Sequence, residues 1–111
     1  MSGAEQEVKG QLLIRKWLDK WRGGTARLWQ YSVSHKLLVL RLTHPQIVGC
    51  LDVCCGDTTY VCCNTSWDDA DLRLEVRPEN EVDLQYSLWD ALHDFRIVCG
   101  IVEVKEHARA T

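Results

Sequence analysis

The chain has 111 residues, with 13 Lys and Arg against 16 Asp and Glu, and is 46% hydrophobic and 26% charged. Those proportions exclude a disordered tail and a repeat array, and they fit one globular domain over residues 1–111. A domain of this size buries roughly two-thirds of the surface its unfolded chain exposes.

The longest apolar stretches, 37–40 and 97–102, are too short to cross a bilayer, so no membrane association is expected. Residues 1–7 carry acid where a secretory signal carries base. The expectation is a cytoplasmic protein whose six cysteines are free thiols. Charge divides along the chain. Residues 1–45 hold eight basic and three acidic side chains, and residues 46–111 hold five and thirteen. The plainer explanation is that the halves pack on each other. Overall acidity argues against a nucleic-acid partner.

Residues 5–22 read as one amphipathic helix, with Leu13, Ile14, Trp17, Leu18 and Trp21 on one face and Gly10 among them at a close backbone approach. Lys9, Lys16 and Lys20 form a stripe on its flank. Gly23-Gly24 is the stop. From residue 26 to 105 the period changes to two, which predicts an antiparallel β region. Residues 27–33 and 36–43 form a hairpin across Ser34-His35, with Leu38, Leu40 and Leu42 inward. Trp29 and Tyr31 are expected to join the helix tryptophans in the core.

His44-Pro45-Gln46 ends the second strand. Residues 47–55 and 58–63 then pair as a second hairpin around Gly56-Asp57, and Ser66 with Asp69 suggests a capped helical turn. Residues 72–76 and 82–88 alternate as two further strands, with Leu74, Val76 and Leu84 expected inward. Residues 95–104 are apolar on both faces and read as a central strand, with Ile97 and Ile101 buried. The predicted class is α+β, mainly antiparallel: six or seven strands in a sandwich or rolled sheet, with one N-terminal helix.

The cysteines are the first place to look for chemistry. In the predicted second hairpin Cys50 faces Cys63, while Cys54 lies roughly 13 Å along the strand from Cys50. Cys50, Cys54, Cys62 and Cys63 are the candidates for a zinc site. Cys50 and Cys63 are the candidates for a redox disulfide, and small core side chains are the alternative for all six. Asp90 with His93 could form an acid–base or metal pair, and Asp68, Asp69 and Asp71 could take a divalent cation; solvated loop residues are the plainer reading of both. Phosphate-loop, dinucleotide, nucleophile-elbow and zinc-protease signatures are absent from the sequence. Trp67, in a polar loop, is either a lid on the core or an exposed contact.

Two functions of different class follow. The first is a small non-catalytic module that binds another protein or a second copy of itself, with Lys9, Lys16, Lys20 and Trp67 as candidate contacts. The alternative is a thiol-based metal-binding or redox protein.

Overall fold

A computed structural model describes residues 3–78 and 84–108, with side chains from residue 10 onward. Helix α1 (Gly3–Lys20) leads into nine strands. These are β1 (Thr25–Ser32), β2 (Leu37–His44), β3 (Ile47–Gly56), β4 (Tyr60–Cys62), β5 (Ser66–Trp67), β6 (Leu72–Pro78), β7 (Leu84–Asp90), β8 (Arg96–Cys99) and β9 (Ile101–His107). They form a five-stranded sheet, ordered β5-β1-β2-β3-β9, and a four-stranded sheet, ordered β4-β8-β7-β6. Every pairing among the described residues is antiparallel. The α+β class with one N-terminal helix is therefore as expected, with more and shorter strands than the periodicity revealed.

The helix stops where the glycines stand. Gly23 adopts a φ of +88°, and a Cβ at Gly24 would lie 2.0 Å from the Thr43 carbonyl oxygen. The predicted helix face is only partly right. Leu18 and Trp21 are buried and Ile14 and Trp17 pack against the core, but Leu13 is largely exposed. Gly10 has open space around it instead of a close backbone neighbour. The helix rotates toward the edge strands β6 and β9, so it bridges the open side of the sandwich. The Arg15 guanidinium donates to the Leu74 carbonyl at 3.3 Å, and Lys20 meets Glu106 at 3.1 Å.

The core lies between the sheets. Leu38, Leu40 and Leu42 of β2 and Leu51 and Val53 of β3 face Leu74, Leu88 and Ile97 of the second sheet, and all are buried. Apolar burial of this kind contributes roughly 1.5–3 kcal/mol per large side chain. Val76 and Leu84, also expected inside, are only partly buried at its margin.

Four expectations are corrected. Trp29 and Tyr31 stay about half exposed: Ala26 and Leu28 take the inner side of β1, so Trp29 falls on the outer side with Arg27, and a bulge between Leu28 and Gln30 shifts the register of the residues that follow. The hairpin of residues 47–55 with 58–63 does not form. Both edges of β3 are already occupied, by β2 and β9, so Cys50 lies opposite His107 and β4 pairs with β8 in the other sheet. Ser66 and Trp67 pair with Arg27 and Ala26 as a short strand instead of starting a helical turn. The strand expected over 95–104 divides at Gly100 into β8 and β9, which belong to different sheets. That switch reverses the inward parity, leaving Ile101 48% exposed while Val102 is buried. The expected strand position Val82 lies outside the described residues.

Candidate interaction face

Strand registers place the outward side chains of the four-stranded sheet in two rows. Cys62, Arg96, Trp89 and Arg73 form one row across all four strands, and Tyr60, Val98, Ser87 and Glu75 form the next. The cause is the same alternation that sends Leu74, Leu88 and Ile97 inward. Trp89 is 38% exposed and Tyr60 53% exposed. Large aromatics in that setting are the type enriched at protein interfaces. Ser87 is buried in the middle of this face, and its hydroxyl has no hydrogen-bond partner among the described residues.

Trp89 forms a ridge between two clefts. One, of about 350 Å³, lies between α1 and β6 and is lined by Arg15, Arg22 and Arg73 with Asp19. The other, of about 400 Å³, is lined by Glu75, Asp90 and Asp94 with Arg96 and the ring of His93. The first cleft is basic and the second acidic.

The arginines of the basic cleft are held in place. Asp71 accepts from the Arg73 Nε at 2.9 Å and its Nη2 at 3.0 Å, and pairs with the Arg22 Nε at 3.1 Å. Hydrogen bonding to Arg73, opposed by burial and aided by the charges of Arg73 and Arg22, keeps the Asp71 carboxyl below the ordinary aspartate range. Arg22 also pairs with Asp19. On the other side Asp90 accepts from the Trp67 indole at 2.8 Å and from the Asp71 and Leu92 amides at 3.0 and 2.7 Å.

A second polar cluster sits on the outer face of the five-stranded sheet. Arg41 donates to Asp52 through Nε at 2.8 Å and Nη2 at 3.0 Å, His107 Nε2 lies 2.9 Å from Asp52, and Trp29 covers the guanidinium at 3.9 Å. Burial acts to raise the Asp52 carboxyl, but Arg41 and His107 outweigh it and hold the group below its usual value. Cys50, across from His107, completes a Cys-His-Asp set by position. Its thiol is fully buried and pushed up by that burial, so no activated nucleophile results.

The sequence candidates distribute as follows. Trp67 is buried against Phe95, with ring centroids 4.8 Å apart, and is the lid rather than an exposed contact. Lys20 is engaged with Glu106 and lies over the Trp17 ring at 4.9 Å; Lys16 is exposed; the side chain of Lys9 lies outside the described residues. Lys20–Glu106, Arg22–Asp71 and Arg41–Asp52 each join the basic half of the chain to the acidic half. That is the internal complementarity the charge division suggested.

Cys50 and Cys54 share the outer face of β3, Cys62 is exposed on the other sheet, and Cys63 is half-buried beyond it, so these four do not converge. Among the described residues no three His, Cys, Asp or Glu side chains are grouped to hold a metal ion. Asp68 accepts from Thr25 and Asp71 is taken by two arginines, so the acidic cluster is divided between other contacts. Asp90 and His93 do not pair: His93 stands against the Asp69 carbonyl and the Trp67 ring.

The Arg73–Trp89–Arg96 row was missed. Its signal was present, because a tryptophan stands on the polar side of an alternating strand. No protein-family model, no curated protein and no solved structure matches the chain.

Proposed function

We propose that the protein is a small, non-catalytic, cytoplasmic module that acts by binding another protein through the outer face of its four-stranded sheet. One observation carries this reading: Trp89 stands exposed between a basic and an acidic cleft, in one row with Arg73 and Arg96. A central aromatic supplies apolar contact area, while flanking arginines and carboxylates set orientation and exclude wrong partners. The opposite charge of the two clefts favours a protein surface of mixed charge over a phosphate backbone.

The same feature supports a second reading, self-association. A face with adjoining basic and acidic clefts is self-complementary under two-fold rotation, so the basic cleft of one copy can meet the acidic cleft of another. The first reading is tested by affinity capture with three forms of the protein: native, Trp89→Ala, and Trp29→Ala as a matched change on the opposite sheet. The expected result is a partner held by the native and Trp29→Ala forms and lost by Trp89→Ala. Retention by Trp89→Ala would overturn the assignment of the face.

A further inference from the structure

One strand edge of the five-stranded sheet is left without protection. β5 covers the outer edge of β1 only at Ala26 and Arg27, and the Leu28 amide donates to the Thr65 carbonyl at 2.8 Å. Beyond Leu28, among the described residues, no strand lies on that side of residues 29–32. The backbone is regular again after the bulge, because Gln30, Tyr31 and Ser32 pair with Val39, Leu38 and Leu37 of β2. Alternate amides and carbonyls of this segment therefore point away from β2 with no strand to receive them.

Proteins blunt such edges with charge, proline, brevity or a covering element. β6 carries three charged residues and a proline, β9 carries three charged residues, and α1 packs on both. β4 and β5 have three and two residues. Residues 28–34 have none of these devices: they hold no charge and no proline. Trp29 and Tyr31 are about half exposed there, and Val33 is 79% exposed. Aromatic and β-branched residues are the types that favour strand pairing.

We infer that two copies of this chain join through β1, antiparallel and edge to edge about a two-fold axis at Tyr31, so that their five-stranded sheets become one continuous sheet. The register follows from two constraints. A two-fold axis perpendicular to the sheet keeps the inner sides of both copies together, so it passes through a residue and not between two. An axis at Gln30 would set Ser32 of one copy against Leu28 of the other, whose amide Thr65 already holds. An axis at Tyr31 uses only residues 29–33. Tyr31 then meets Tyr31, and Gln30 meets Ser32, as cross-strand pairs. A second copy is the occupant because the segment is complementary to itself: no charge lies within it, so pairing it with its own copy opposes no like charges. This contact does not rest on the Trp89 face, which belongs to the other sheet.

The test is sedimentation of the full chain over a range of concentration and salt. The expected result is a dimer that survives high salt and Trp89→Ala, which separates it from a contact through the charged clefts. Tyr31→Lys and Tyr31→Glu each place two like charges at the axis, so each variant alone should be a monomer. An equal mixture of the two should recover the dimer, which also shows that both variants fold. In the native protein, amide hydrogen exchange at residues 29–33 should slow as concentration rises. A monomer at every concentration, a dimer that both Tyr31 variants leave intact, or a mixture that stays monomeric would overturn the inference. Protection of residues 29–33 only when a different protein is added would assign the edge to a foreign strand and overturn it as well.

Discussion

Replacing Asp52 with alanine removes the carboxylate on which the outer face of the five-stranded sheet is organised. The Arg41 and Asp52 side chains retain only 10% and 11% of their exposure, and two parallel hydrogen bonds join them. Removing one partner of a buried ion pair costs about 3–5 kcal/mol, because the remaining charge stays in a medium that solvates it poorly. Trp29 remains on the guanidinium at 3.9 Å and offsets part of this, about 1 kcal/mol. The expected loss is therefore about 3 kcal/mol, against a total of roughly 5–15 kcal/mol for a domain of this length. The thermal midpoint should fall by about 10–15 °C.

Urea unfolding followed by tryptophan fluorescence measures the loss. The double replacement Arg41→Leu with Asp52→Leu removes both charges and should lie within about 1 kcal/mol of the native protein. A loss below about 1 kcal/mol for Asp52→Ala, or a double variant as unstable as the single changes summed, would refute the reasoning.

Acid should unfold the protein in a definite window. Asp71 and Asp52 have folded-state values below the ordinary aspartate value of about 3.9, so their stabilisation is present above that value. It should be lost as pH falls below about 4, and Asp71→Asn should reduce the acid dependence in urea titrations at pH 2–6. Ile97→Ala should cost about 2–5 kcal/mol, whereas Ile101→Ala, on the outer side after the sheet switch, should cost under about 1 kcal/mol in the same assay. Where copies associate through the clefts, sedimentation should show a dimer that weakens at high salt and is abolished by Trp89→Ala; insensitivity to both would remove that reading.

Much of this architecture was legible in the sequence, and the failures share a physical cause. Leu38, Leu40 and Leu42 gave β2 its inner face, and Gly23-Gly24 gave the helix its end, because periodicity and backbone conformation act locally. Pairing partners and sheet membership are not local. Nothing within residues 47–63 indicates that β3 has both edges filled by β2 and β9, which is why Cys50 was placed opposite Cys63 instead of His107. The bulge at Trp29 and the switch at Gly100 each reverse an alternation that otherwise reads as continuous. The candidate face was missed for the same reason. Arg73, Trp89 and Arg96 are far apart in sequence and become a row only when β6, β7 and β8 are in register.

Site-specific photo-crosslinking tests the assignment of the face most directly. A photoreactive phenylalanine analogue is placed at Arg96, beside Trp89 on the four-stranded sheet, and separately at Thr43 on the five-stranded one. Illumination in cells that make the protein should give a discrete protein adduct from position 96, lost when Trp89→Ala is added, and no adduct from position 43. An adduct from position 43 alone, or one from position 96 that survives Trp89→Ala, would contradict the assignment.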